Sequence, residues 1–120
     1  MTCVFCEMSD IVLENEWAKA LYDKFPVNKG HLLIVPKRHV EQYFDLTEDE
    51  RKAIDQLLFV GKKLLEETLH PDGYNIGINC GEAAGQTIFH VHIHLIPRYK
   101  GDTDDPRGGV RGVIPSKQSY

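Results

Sequence analysis

The stretch Phe89-His90-Val91-His92-Ile93-His94-Leu95-Ile96-Pro97 decides how this chain is read. Successive strand side chains alternate between the two faces of a sheet. His90, His92 and His94 are therefore expected on one face, while Val91, Ile93 and Leu95 point into a core. The expected spacing from one imidazole to the next is roughly 6–7 Å. Half of the chain's six histidines would share one surface. Two chemistries suit such a trio. Neutral imidazoles commonly bind a metal. Alternatively, one ring can attack phosphorus, because an unperturbed pKa of about 6.5 and neighbouring imidazoles that resist becoming cationic together keep the attacking nitrogen unprotonated.

The residues just upstream favour phosphorus. Gly85-Gln86-Thr87 enters the histidine strand, where glycine permits close backbone approach and the Gln amide and Thr hydroxyl are potential donors to phosphate oxygens.

Further out, Ile11–Glu14 and Trp17–Asp23 alternate apolar and polar residues around Asn15-Glu16 and predict a hairpin. A third strand, His31–Val35, follows the turn cluster Asn28-Lys29-Gly30 and is expected to stop at Pro36. Thr47 and Glu50 form a capping box. Behind it Ile54, Leu57, Leu58, Gly61, Leu64, Leu65 and Leu69 recur at helical spacing until Pro71. Tyr74–Asn79 and Phe89–Pro97 complete five strands, separated by the loop Cys80–Gln86. The expectation is an α+β domain with a five-stranded antiparallel sheet and one main helix.

With 120 residues, 42% hydrophobic and 27% charged, the chain has material for one packed domain and too little for two. Its apolar runs are far shorter than the roughly 20 residues that span a bilayer, and no basic-then-apolar leader is evident, so a cytoplasmic protein is expected. A net charge of −4 lacks the basic field that gathers duplex nucleic acid. Three cysteines are too few for a disulfide framework. Cys3-Val4-Phe5-Cys6 reads as metal or redox chemistry in a reducing compartment, or as two small hydrophobes in a packed turn, with Cys80 left over.

Ala84-Gly85-Gln86-Thr87-x-x-His90-x-His92-x-His94-x-x-Pro97-Arg98 closely resembles the signature of histidine-triad nucleotide hydrolases and transferases. The resemblance extends to Gly30-His31, Pro36-Lys37-x-His39 and the helix. The stretch Pro97-Arg98-x-x-Gly101-Asp102 looks most like the diadenosine-polyphosphate hydrolase branch. It implies a catalytic domain over residues 1–101 and a tail over residues 102–120. By the same resemblance His92 is the nucleophile, His94 contacts phosphate and leaving group, and His31 supports the triad. Gln86 and Thr87 would stabilise developing charge. Asp23 would hold the ribose and Asn79, with Gly85, would approach the phosphates. Phe5, Ile11 and Leu21 lie in the region that usually supplies an apolar base pocket. Some relatives hold a structural zinc at places that correspond here to Cys3, Cys6, His39 and His90. The implied reaction opens a purine nucleotide conjugate, such as a dinucleoside polyphosphate, phosphoramidate or adenylate, at its α-phosphate through a nucleotidyl-histidine. A homodimer with a continuous sheet is implied as well.

Two rivals remain at this level: a nucleotide-binding module that acts through a protein partner, and a zinc hydrolase using His90, His92 and His94 together. The tail carries Arg107, Arg111 and Lys117 without an acid after Pro106, around Gly108-Gly109-Val110. It is expected either to lie loose in solvent or to fold back over an active site and contact distal phosphates.

Overall fold

The structure, a computed structural model, describes residues 3–120; residues 1 and 2 of the expected catalytic domain lie outside the described residues. The hairpin strands are β1 (Leu13–Glu14) and β2 (Ala18–Tyr22), followed by β3 (Leu32–Pro36), β4 (Gly73–Ile78) and β5 (Ile93–Arg98). They form one antiparallel sheet in the order β1-β2-β3-β5-β4. Helix α1 (Val4–Glu7) is one turn long, and α2 (Glu48–Thr68) is the main helix. The α+β class, the five strands and the single long helix are those expected.

One asparagine organises the hairpin. Asn15 Oδ1 accepts from the amides of Trp17 and Ala18 at 3.1 and 2.9 Å, while its Nδ2 donates to the Ala53 carbonyl in α2 at 2.9 Å. Helix α2 starts at the anticipated capping box, with Glu50 N–H donating to Thr47 Oγ1 and Thr47 N–H to Glu50 Oε1. Its buried stripe Ala53, Ile54, Leu57, Gly61 and Leu65 packs against the sheet residues Ala20, Ile34, Ile93, Leu32 and Leu95. Gly61 marks the closest approach. A Cβ there would stand 3.2 Å from Leu32 Cδ1 and 3.3 Å from Leu95 Cδ2, tighter than most packing tolerates.

The opposite sheet face is covered by α1, whose Phe5 packs with Leu21, Leu33 and Val35. Alternation along β3 and β5 therefore sends Ile34, Ile93 and Leu95 to α2, and leaves His31, His92 and His94 beside α1. Gly30, at φ +95°, makes the turn before His31, and a Cβ there would lie 2.6 Å from Leu69 Cδ1.

Every strand differs at one or both ends by one to four residues from the expectation, and the first two strands are shorter. Strand β5 begins at Ile93, not Phe89, because the chain before it leaves the ladder: Val91 N–H donates to the Val40 carbonyl at 2.7 Å. The third strand runs through Pro36, which as its last residue needs no further ladder donor. The one-turn helix Val4–Glu7, capped at Cys3, was not among the expected elements.

Candidate active site and metal centre

His92 and His94 stand side by side with ring centroids 5.1 Å apart, closer than the pleat spacing suggested. His31 packs against His94 at the same centroid distance. His90 leaves this group. It is fully buried, and its ring turns toward Cys3 and His39, because the stretch before Ile93 is not a strand. Among the described residues, the ligating atoms of His90, His92 and His94 do not converge as a set, which removes the geometry that a three-histidine catalytic metal requires.

The backbone sets the protonation of each ring. The His90 carbonyl lies 3.0 Å from His92 Nδ1, so that nitrogen carries the proton and donates; Nε2 of His92 keeps its lone pair. The Val27 amide donates to His31 Nδ1 at 3.1 Å, so the His31 proton sits on Nε2 and is donated to His94 Nδ1 at 2.9 Å. His94 consequently carries its own proton on Nε2. Burial lowers the His31 pKa against the opposing pull of Asp23, and burial with the neighbouring His92 and His31 pushes His94 down to about 4. The site thus holds a free lone pair on His92 beside a neutral N–H donor on His94.

These rings line a cleft of about 370 Å³ together with Asp23, Asn79, Gly85 and Thr87. Its apolar wall is Val4, Phe5, Met8, Leu33 and Ile88, with Tyr22 and Phe25 at the far side. Of the expected base-pocket residues only Phe5 lines it. Leu21 is spent in the core beneath Phe5, and Ile11 lies elsewhere on the surface. Met8 and Leu33 were missed, although Leu33 shares its face with His31 by simple alternation. Asp23 Oδ1 accepts from the Phe25 amide at 2.9 Å, and Oδ2 stands 3.6 Å from His31 Nε2.

Gln86 corrects a second expectation. Its amide is buried, with Oε1 accepting from Gly81 N–H at 2.8 Å and Nε2 donating to the Glu41 and Ile88 carbonyls at 2.6 and 3.2 Å. Both amide hydrogens are used, so none remains for a phosphate. Gln86 instead braces the loop that presents Gly85, in a left-handed conformation at φ +93°, and the exposed Thr87.

Behind α1, Cys3, Cys6, His39 and His90 bring their donor atoms within 4.8 Å of one another. Cys3 Sγ lies 3.3 Å from His90 Nδ1, and Cys6 Sγ lies 3.5 Å from both His90 Nδ1 and His39 Nδ1. Neighbouring donors of a tetrahedral zinc with bonds of about 2.0–2.3 Å stand roughly 3.3–3.8 Å apart, so the spacing fits. The His90 Nε2–H donates to the Pro36 carbonyl at 2.8 Å, which directs the lone pair of Nδ1 at the sulfurs. This cluster could hold a metal ion. Next to His39 in the chain, the Arg38 guanidinium meets buried Glu50 at 2.8 and 3.0 Å.

The tail is folded into two 3-10 turns, and its two arginines have local partners. Arg107 pairs with Asp105 at 3.1 Å; Arg111 donates to the Lys117 carbonyl and lies 4.5 Å over the Tyr120 ring. Local partners thus satisfy the arginines expected to reach phosphates. Val110 is the tail residue that reaches the site, at the rim of a groove shared with His94 and Asn79.

The HIT domain family model matches residues 7–101 of this chain. An uncharacterized HIT-like protein of Methanocaldococcus jannaschii is 42% identical over 122 residues, covering 92% of this chain and 91% of that protein. The crystal structure of a zinc-bound histidine triad family protein from Mycobacterium smegmatis superposes with a TM-score of 0.77 at 34% identity, over 85% of this chain and 78% of that one. An AP-4-A phosphorylase of Mycobacterium tuberculosis is 32% identical over 78% of this chain, which spans only 49% of that enzyme. The matched span contains the Gly85–Thr87 loop and all three histidines, and on these grounds the chain belongs to the HIT, or histidine triad, family.

Proposed function

We propose that the protein is a nucleotide hydrolase or transferase that opens purine nucleotide conjugates at the α-phosphate. The observation that carries this reading is the fixed pair of tautomers: an unprotonated Nε2 on His92 beside an Nε2–H on His94, in one cleft. His92 Nε2 attacks phosphorus and forms a P–N bond, and the bond to the leaving atom breaks. The leaving atom departs with the electron pair, receives a hydrogen bond from His94 and takes its proton from water. The resulting nucleotidyl-imidazolium keeps its Nδ1–H on the His90 carbonyl. Water then attacks phosphorus, the P–N electron pair returns to Nε2, and the remaining proton goes to solvent.

Asp23 is suited to accept from the ribose hydroxyls, and Asn79, Gly85 and Thr87 to meet the phosphate oxygens, with the base against Phe5, Met8 and Leu33. Gln86 acts by holding the loop. Cys3, Cys6, His39 and His90 would hold one structural zinc, whose contribution is to fix α1 and the turn after β3 to the catalytic segment. Thiolates kept free for zinc suit the cytoplasm. Two copies joined along edge strand β4 would extend the sheet into a homodimer.

Brief exposure to a panel of adenylated compounds, followed by acid-free quenching and intact mass measurement, tests the reaction. A nucleotidyl adduct mapped to His92 is expected. Nucleotide binding with neither adduct nor turnover would favour the binding-module alternative.

A further inference from the structure

Residues 23–31, which join β2 to β3, carry Asp23 and Phe25 into the cleft and bring the Val27 amide to His31 Nδ1. Packing holds this connection poorly. Phe25 and Val27 are 89% and 65% exposed, and Pro26 and Lys29 line a separate cavity of about 400 Å³ that runs to Thr68 and Leu69 at the end of α2. With so little apolar contact, the conformation of the connection rests on its hydrogen bonds.

Among the described residues, the side-chain hydrogen bonds that link residues 24–30 to a distant part of the chain all involve residues 97–102. Asn28 Nδ2 donates to the Pro97 carbonyl at 3.1 Å and to Asp102 Oδ2 at 2.7 Å, and the Tyr99 hydroxyl donates to the Lys29 carbonyl at 2.8 Å. Asp102 is the fixed end of this clamp. The Arg98 guanidinium donates to both of its oxygens at 2.8 Å, the Tyr99 amide donates at 3.0 Å, and Arg98 also donates to Asn75 Oδ1 of β4. These bonds hold the Asp102 carboxyl well below the usual carboxylate range, so it stays an acceptor.

What the clamp keeps in place is a donor. The Asn28 carbonyl accepts from the His31 amide at 3.1 Å and closes the turn, and the Val27 N–H faces His31 Nδ1. A proton on Nδ1 would set donor against donor, which disfavours both the alternative tautomer and the imidazolium. In the alternative tautomer His31 Nε2 would accept from His94 Nδ1–H, and His94 Nε2 would lose its proton. The ionisable groups around the His31 ring are Asp23 at 3.6 Å, His94 with His92 beside it, and Lys29 in the adjoining cavity; of these, Asp23 alone carries a charge that favours the cation.

Resting on the nucleotidyl-transfer reading above, we infer that Asn28, anchored by Asp102, is a positioning residue that keeps the Val27 amide on His31 Nδ1 and thereby the His94 proton on Nε2. Neither the Asn28 nor the Asp102 side chain lines the cleft.

Ring-nitrogen NMR of histidine-labelled protein reads these protons directly. Wild type should show Nε2–H with a bare Nδ1 on both His31 and His94. In Asn28→Ala, His31 Nδ1 should gain proton occupancy and His94 Nε2 should lose it, and the His31 titration should move up by about one unit, or about tenfold more cation at neutral pH. With an adenylated substrate kcat should fall about tenfold, because the donor to the leaving atom is weakened. The Kd for AMP should stay within about twofold, since Asp23 keeps its backbone bond to His31. Tyr99→Phe, which deletes a single hydroxyl, should shift the same resonances in the same direction but less. Unchanged rings in folded Asn28→Ala would overturn the inference, even with a lowered Tm, and if that variant does not fold, unchanged rings in Tyr99→Phe would do so. The expected proton shifts in a protein that turns over no adenylated compound would uphold the positioning and refute the reaction.

Discussion

The His92 Nδ1–H donates to the backbone carbonyl of His90 at 3.0 Å, while the His90 ring points its own Nδ1 at Cys3. One residue thus orients the proposed nucleophile with its carbonyl and joins the candidate metal centre with its side chain. Phe5 packs on both rings, at centroid distances of 5.8 Å to His90 and 5.1 Å to His92. The candidate metal centre thus adjoins the wall of the cleft.

His92→Asn should reduce turnover by on the order of 10³-fold or more, since it removes the imidazole Nε2 proposed to attack phosphorus. Nucleotide affinity should change little, because Asp23, Asn79, Gly85 and Thr87 remain. Comparable kcat in the folded variant would exclude a covalent intermediate at this position.

Purified protein should carry about one zinc per chain, detectable by elemental analysis. Cys6→Ser should lower Tm by about 10 °C or more, since metal binding contributes directly to folding free energy. Chelation should reduce activity only as fast as the fold is lost. Protein that remains zinc-free after supplementation under reducing conditions would contradict the assignment.

The sheet and the main helix were legible because each rests on a periodicity or a local motif, whereas the grouping of Cys3, Cys6, His39 and His90 was expected only through the family resemblance. Alternation placed Leu33 and His94 on one face, and Thr47 with Glu50 announced the helix start. Strand alternation hid the separation of His90 from His92, which only the family resemblance implied, because it depends on residues 36–40 meeting the segment before β5 through Pro36 and Val40. The inward turn of Gln86 was hidden for the same reason, as its partner Glu41 lies 45 residues away. A local reading assigns an amide to phosphate as readily as to a distant carbonyl. The tail arginines likewise depend on Tyr120 and Gln118 closing over them.

Glu50→Ala should destabilise the fold by about 2–3 kcal/mol, because it removes the capping-box acceptor and leaves Arg38 without its charged partner. Hydrogen bonding from Arg38 lowers the Glu50 pKa. This contribution is therefore fully present above the ordinary carboxylate range and is lost as pH falls through the depressed value. Denaturant unfolding of the two proteins should give ΔG curves that converge in strong acid. A constant gap down to low pH would remove the Arg38 pair as the cause.

His94 should make stability depend on pH in a different window. An unfolded histidine takes up a proton below about 6.5, whereas the folded ring resists until about 4. The unfolded state binds more protons between those values, so stability is fully present above about 6.5 and falls as the pH drops toward 4. His94→Gln removes this ring but keeps an acceptor for the His31 Nε2–H. The carboxylates titrate in both proteins and largely cancel in the difference. Relative to the variant, wild type should lose on the order of 2 kcal/mol of unfolding free energy between pH 7 and pH 4.5. Parallel curves would mean that the cleft admits enough water to charge the ring, and the neutral donor assigned to His94 would no longer follow.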